Sequence, residues 1–298
     1  MTGKQAAILG SRAVVAVSGD QARDFLQGLV TSDIDKLRPG EARNAALLTP
    51  QGKILHEFIL YAEDPDGFLL ETPAELAQDL ARRLMFYRLR ARVDIAVADG
   101  LAVVAIWGEG QQPSVSGAFA DPRLAGLGWR AIIAKDATES ALEGCDIVAE
   151  PDYHAHRIAL GVAELGQDYG SGEVFPHEAD LDQLGGVDFH KGCFIGQEVV
   201  SRMQHRGTAR SRFVPVEVDG AAPEPGTAVE AGGKAVGTMG SSAGRRGLAL
   251  LRLDRIGDAM AAGQPIAAGD AVLHPLRPDW ARFDWPDAAA AGTTATGT

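Results

Sequence analysis

The last third of the chain carries the pattern that most limits its fold, which is a series of short apolar segments separated by glycine-rich turns. Strands this short, punctuated this regularly, are typical of small antiparallel barrels, where closure leaves no open sheet edge. We therefore predict an antiparallel β-barrel over residues 208–284. The alanine- and threonine-rich residues 285–298 are predicted to be disordered. The predicted barrel strands are Phe213–Val218, Thr227–Glu230, Ala235–Met239, Leu248–Leu253 and Ala271–Pro275.

The first 207 residues mix helical and strand periodicities, which predicts an α+β region. Apolar residues at helical spacing predict a helix from Ala22 to Val30, a second short helix capped by Ser32 or Asp33, and a helix that starts at Pro73. Strand-like runs flanking turn residues predict two hairpins. The hairpins pair Asn44–Leu48 with Ile54–Tyr61 and Val93–Val97 with Leu101–Ile106.

Charge and hydropathy limit the partners of the chain. The net charge of -12 opposes nonspecific nucleic-acid binding, whose affinity depends on neutralising phosphates. The apolar runs are shorter than the roughly 20 residues that a membrane helix needs, and the first residues lack a signal-peptide pattern. We therefore predict a cytoplasmic protein with no membrane partner and no direct nucleic-acid partner.

The two cysteines, Cys145 and Cys193, exclude several thiol-based sites. They lie 48 positions apart and form no CxxC pair, so the chain alone cannot hold a four-thiolate cluster. His154 and His156 are two residues apart, a spacing that points them to different faces of a helix. We predict no metal site within this chain.

The segment KGCFIGQE, Lys191 to Glu198, places Cys193 in an unusual setting. Gly192 and Gly196 allow close backbone approach, and the charge of Lys191 favours the thiolate form of a neighbouring cysteine. A predicted helix from Gly196 to about His205 acts in the same direction. A buried, inert thiol is an equally good interpretation from these residues alone.

Three segments, KGCFIGQE, GDQARDFLQGLVTSDIDKL and AALLTPQGKIL, together resemble the YgfZ proteins, which are folate-binding relatives of the glycine-cleavage aminomethyltransferase, or T-protein. The resemblance extends from about residue 10 to the barrel. It implies an α+β, aminomethyltransferase-like ring of subdomains around a channel that binds tetrahydrofolate or a derivative. Residues 1–207 would form the folate-binding region from two interleaved α+β subdomains, and the barrel would close the ring.

The resemblance also implies a function. We expect a tetrahydrofolate-binding accessory protein that supports assembly or repair of iron-sulfur enzymes, and through them, indirectly, tRNA modification. Its partners would be iron-sulfur proteins or cluster-assembly factors, with Cys193 and Lys191 as the reactive pair. The alternative is a folate-dependent one-carbon transferase or demethylase acting on a small amine, which would need a base rather than a thiol.

The resemblance assigns four candidate folate-binding residues. Glu178, in FPHEADL, matches the T-protein glutamate that recognises the pterin, where one carboxylate accepts two parallel hydrogen bonds. His56 and Glu57, in GKILHEFILY, replace the T-protein aspartate pair, which leaves catalysis open because transfer demands close geometry. Arg90, in a matching Tyr-x-x-Arg stretch, would meet the glutamate tail of folate.

Overall fold

A computed structural model describes residues 3–109, 112–207 and 209–283. The chain forms two compact units. The first unit contains the residues up to Tyr153 together with Ser171–Pro176 and Leu184–Ser201. The second contains His154–Gly170, His177–Gln183 and the described residues from Arg202 onward. The tail predicted over residues 285–298 lies outside the described residues.

The strands of the first unit supply two sheets. They are β1 (Gln5–Ile8), β2 (Arg12–Ser18), β3 (Ala42–Leu48), β4 (Ile54–Ala62), β5 (Gly67–Pro73), β6 (Asp94–Val97), β7 (Leu101–Trp107), β8 (Phe119–Ala120), β9 (Trp129–Ala134) and β10 (Asp146–Ile147). The helices of the described chain are α1 (Ala22–Gln27), α2 (Ala77–Arg88), α3 (Thr138–Ala141), α4 (Glu150–Ala159), α5 (Gln197–Arg206) and α6 (Leu253–Ala261). None of the helices in the described ranges is long and apolar enough to span a membrane.

One sheet of the first unit, in the order β3-β4-β5-β2-β6, is antiparallel throughout. Its core joins Phe58 and Phe68 of the sheet to Leu26 of α1 and Leu80 and Leu84 of α2. The other sheet has the order β10-β1-β7-β9-β8, in which only the β1–β10 pair is parallel among the described strands. Helices packed on sheets in this way make the unit α+β.

Of the two predicted hairpins, one is confirmed. Strands β3 and β4 pair around a turn in which Thr49 N–H donates to Lys53 O at 2.8 Å and Gly52 adopts a φ of 82°. The hairpin predicted from Val93–Val97 and Leu101–Ile106 is wrong. Strand β6 pairs with β2, whereas β7 pairs with β1 and β9 in the other sheet. The turn between them therefore carries the chain from one sheet to the other.

Two helix predictions also need correction. The short helix expected after Ser32 is not formed: these described residues make only turns, in one of which the Asp33 carboxylate accepts the Asp35 N–H at 3.2 Å. Pro73 ends β5, and α2 begins at Ala77 after one 3₁₀ turn. The helix α5, in contrast, begins within one residue of its predicted start.

The second unit contains the predicted barrel, which is confirmed. Strands β11 (Ser211–Asp219), β12 (Ala228–Ala231), β13 (Lys234–Ala243), β14 (Arg246–Arg252), β15 (Ile266–Ala268) and β16 (Ala271–Pro275) close in the order β11-β14-β13-β12-β15-β16. Closure comes from the antiparallel pairing of β11 with β16. The sequence pattern missed β15, which has only three residues, and α6, which connects β14 to β15.

Candidate functional site

The loop that carries Cys193 is held at its start by a buried lysine. The Lys191 ammonium donates to the carbonyls of Gln27 at 2.8 Å, Val30 at 2.7 Å and Ser32 at 2.7 Å. Only 7% of Lys191 is exposed, and burial lowers the pKa of its ammonium to about 8 against the opposing charge of nearby aspartates. This lysine therefore anchors the loop to the segment that follows α1.

The same loop is held at its end by a glycine. Gly196 has a φ of 77°, and a Cβ atom on it would lie 2.6 Å from the Thr49 carbonyl oxygen and 3.0 Å from Gly52 Cα. Only glycine accepts both this backbone conformation and this approach. The β3–β4 turn thus packs directly against the residue before α5. Gly192, predicted to have the same role, has open space around it.

Between these two anchors Cys193 is exposed, whereas its neighbour Phe194 is buried. The other cysteine, Cys145, is half-buried, and burial raises the pKa of its thiol. Thiolates are the nucleophilic and metal-binding form of cysteine. The geometry therefore favours Cys193 over Cys145 as an accessible reactive thiol. The Lys191 ammonium, which was predicted to act with Cys193, instead donates to three backbone carbonyls.

The pair His56 and Glu57 does not act as a unit. Both side chains are buried in β4, where successive side chains point to opposite faces of the sheet. The His56 Nε2 atom lies 3.2 Å from the Asp79 carboxylate of α2, and burial lowers the pKa of its imidazole to about 4. His56 is consequently neutral near pH 7 and faces a structural partner.

The two remaining candidates differ in setting. Arg90 is exposed in the turn after α2, in the first unit. Glu178 belongs to the second unit and is half-buried. The backbone around Glu178 is fixed, because its carbonyl accepts the Phe213 N–H at 2.8 Å and the preceding His177 carbonyl accepts from Arg212 at 2.8 Å.

The first unit contains a buried ionic network that the sequence patterns did not predict. Arg130 donates to Glu71 at 2.9 Å and to Asp121 at 3.0 Å, and its guanidinium lies 4.8 Å from the Tyr153 ring centroid. A single arginine inside the apolar run Trp129–Ile133 was the available signal. Among the described residues, no group of three or more His, Cys, Asp and Glu side chains is placed to hold a metal ion.

The chain is similar to mitochondrial iron-sulfur cluster assembly factors called IBA57. It is 32% identical to the Homo sapiens protein over an alignment of 310 positions, which covers 93% of this chain and 84% of that protein. Identity to the Mus musculus protein is 32% over an alignment of 314 positions, which covers 94% of this chain and 85% of that protein. The Neurospora crassa homolog is 32% identical over 239 residues, which cover 72% of this chain but only 54% of that longer relative.

These relatives are mitochondrial by name, and this finding contradicts the cytoplasmic location predicted from the sequence. That prediction is wrong. It rested on the absence of a recognisable signal peptide and of long apolar runs, and neither feature specifies a compartment.

The fold prediction is confirmed. Residues 210–283 match the family model described as CAF17, C-terminal beta-barrel domain. The structure also matches the glycine cleavage system aminomethyltransferase T of Bartonella henselae with a TM-score of 0.75, covering 95% of this chain and 88% of that one. At 15% identity this match shows the α+β aminomethyltransferase fold alone. The narrower resemblance to YgfZ proteins remains a prediction.

Proposed function

The chain belongs to the IBA57 family, and from that membership we propose that it is an iron-sulfur cluster assembly factor that uses the Cys193 thiolate and binds tetrahydrofolate through Glu178. The observation that carries the proposal is the exposed thiol on a loop anchored at both ends. A fixed loop presents the sulfur in one place, so little ordering remains to be done when a partner arrives.

The chemistry asked of Cys193 is ligation. The thiol releases its proton, and the thiolate sulfur binds iron. Clusters of the common types need four thiolates, so Cys193 supplies one ligand and the other three come from a partner protein. The partners proposed here are therefore apo iron-sulfur proteins or other cluster-assembly factors with exposed thiolates.

The residues around Glu178 fit a pterin. Glu178 is half-buried, and its neighbours His177, Ala179 and Asp180 are buried. On a backbone that is bonded to β11, the Glu178 side chain is the group that we propose accepts the paired N–H groups of a pterin ring. The pterin ring would be the part of tetrahydrofolate that Glu178 recognises. The geometry of β4 gives no support to the aminomethyl-transfer alternative, because the side chains of His56 and Glu57 point to opposite faces of the sheet and do not form a pair.

The thiol is tested by exchanging each cysteine in turn. Cells depleted of the chain would receive Cys193→Ser or, as the matched control, Cys145→Ser, and the activity of their iron-sulfur enzymes would be compared with that of cluster-free enzymes. We expect Cys193→Ser to lose support for the cluster enzymes and Cys145→Ser to retain it. Equal support from both variants would show that Cys193 is not the reactive group.

The folate site is tested by calorimetric titration with tetrahydrofolate. Glu178→Gln keeps one acceptor oxygen but replaces the other with a donor, so we expect binding to weaken at least tenfold, about 1.4 kcal/mol. Exposed Glu224→Gln in the same unit is the matched control. Saturable binding that is unchanged in Glu178→Gln would place the pterin elsewhere, and no binding by the parent protein would remove folate from the proposal.

A further inference from the structure

The C-terminal end of α2 forms a basic and apolar surface, which we call the α2 patch and define as residues 82–92. Phe86 is 75% exposed, Leu89 is 88% exposed and Met85 is 45% exposed. Five of the 28 basic residues of the chain fall in these eleven positions, all of them arginines, and the segment contains no acidic residue. This concentration stands out in a protein with a net charge of -12.

Leu89 occupies a backbone position that normally selects glycine. Its φ of 47° and ψ of -102° match the first central residue of a type II′ turn, and the Ala91 N–H donates to the Arg88 carbonyl at 2.8 Å to close that turn. A branched side chain is strained in this conformation. Leu89 also buries almost none of its surface. The leucine side chain therefore neither relaxes the turn nor makes a packing contact that would stabilise the isolated chain.

The five arginines of the α2 patch fall into two groups, three with partners and two without an ion pair in the part of the chain that the structure describes. Arg88 donates to the Val93 carbonyl at 3.3 Å. Arg82 pairs with Asp79 at 3.1 Å, and Arg92 pairs with Asp20 at 2.6 Å. Arg83 and Arg90 are exposed and have no ion-pair partner within the described ranges. Arg83 and Phe86 are three residues apart in α2, so their side chains are neighbours on the helix surface, and Leu89 follows the last helical residue. The patch thus joins unpaired positive charge to exposed apolar side chains.

We propose that the α2 patch docks an acidic protein segment that carries at least one large apolar anchor residue. Aromatic, methionine and arginine side chains are the types enriched at protein interfaces and their energetic hot spots. Arginine also matches carboxylates through paired hydrogen bonds. The inference does not rest on the proposed role in cluster assembly, because it uses neither Cys193 nor Glu178.

Electrostatics favour an acidic protein segment over an anionic membrane or a nucleic acid. Both of those present extended negative surfaces, which the overall charge of -12 repels beyond the patch itself. A short acidic segment feels mainly the local arginines, because physiological salt screens charges more than about 8 Å away. The occupant therefore has the size of a peptide segment or a small surface of a folded protein.

The test begins with selection from a random dodecapeptide library displayed on phage. The wild-type chain is the bait, and Leu89→Gly is used for counter-selection. We expect the selected peptides to be enriched in aspartate and glutamate and to contain leucine or an aromatic residue. Selected peptides without acidic enrichment would overturn the proposal, as would failure to select any peptide.

The consensus peptide then serves as the probe in fluorescence anisotropy. We expect Leu89→Gly, Phe86→Ser and Arg83→Glu each to weaken binding about tenfold or more. The control Ile147→Ala removes an exposed apolar side chain elsewhere in the same unit and should leave binding unchanged. Arg83 is substituted rather than Arg90 because Arg90 is a candidate folate-binding residue, and a loss of peptide binding in an Arg90 variant could then have two causes.

Thermal melts separate lost binding from lost folding. Leu89→Gly should keep or raise the Tm because glycine relaxes the turn, while it weakens the peptide. Equal peptide affinity for Leu89→Gly and wild type would overturn the proposal. So would binding to vesicles of phosphatidylserine and phosphatidylcholine that Leu89→Gly abolishes, since the patch would then be a membrane contact. Unchanged tetrahydrofolate titration and cluster support in these variants would keep this inference separate from the proposed function.

Discussion

Replacing Lys191 by methionine removes the head group that three backbone carbonyls surround, and we expect it to destabilise the first unit by about 2–4 kcal/mol. Orphaning a buried carbonyl costs roughly 1–3 kcal/mol, so three of them give a gross loss of roughly 3–9 kcal/mol. Methionine offsets part of this because it avoids the desolvation cost that burial imposes on the ammonium. It also keeps the apolar stem and its packing.

Hydrogen exchange measures this loss where it arises. By the conversion of 1.4 kcal/mol per factor of ten, amides in residues 27–33 and 188–196 should exchange roughly thirtyfold faster or more in Lys191→Met. Lys36→Met is the matched control, because Lys36 is exposed and its pairs with Asp33 at 2.7 Å and Asp188 at 3.3 Å are surface ion pairs, which contribute little to stability. Urea unfolding should rank the variants in the same order.

The anchor interpretation of Lys191 would be refuted by unchanged exchange and an unchanged urea midpoint. If, in addition, the pH profile of Cys193 alkylation moved to higher pH in Lys191→Met, the lysine would act on the thiol through its charge. That outcome would restore the electrostatic role suggested by the sequence. The two roles are therefore distinguished by two different measurements on one variant.

Three further predictions concern the first unit. Gly196→Ala should lower the free energy of unfolding in urea by about 2 kcal/mol or more, because its Cβ would meet the Thr49 carbonyl, whereas Gly192→Ala should be neutral; equal effects would contradict the anchor. His56 has a folded pKa of about 4 against 6.5 unfolded, so the unfolded state binds the extra proton between these values. Thermal stability should therefore fall as pH drops from 6.5 to 4, and His56→Gln should flatten that fall. Arg130→Met removes one guanidinium partner from buried Glu71, which keeps Arg12, and from Asp121, which keeps Arg123, and should cost up to about 3–5 kcal/mol in chemical unfolding; a loss below about 1 kcal/mol would show that the remaining arginines suffice.

Local sequence patterns located most strands and helices but could not choose their partners. The β3–β4 hairpin was predictable because the turn and both strands are adjacent in the chain. The sequence pattern of β6 and β7 predicts a hairpin equally well, yet β6 pairs with β2 and β7 pairs with β1, each about 80 to 100 residues away. Partner choice depends on which apolar faces meet across the whole chain, and this information lies outside any short window.

The candidate site shows the same limit. The KGCFIGQE segment identified Cys193, but the carbonyls that hold Lys191 are 159 to 164 positions away in the sequence. Backbone carbonyls have no sequence signature, so no motif could have indicated them. The strain at Leu89 was equally hidden, since a leucine at the end of an apolar stripe looks like core until its φ is known.

The interleaving of the two units has a consequence for the order in which the chain can fold during synthesis. The first 153 residues leave the ribosome before either Ser171–Pro176 or Leu184–Ser201, which the first unit needs. Ile54 then lacks Val174, whose carbonyl accepts its N–H at 2.9 Å, and the end of α1 lacks Lys191. A nascent first unit must therefore wait, incomplete, until about residue 201 has emerged. Truncation at residue 153 should accordingly yield a chain that binds chaperones rather than an independent module.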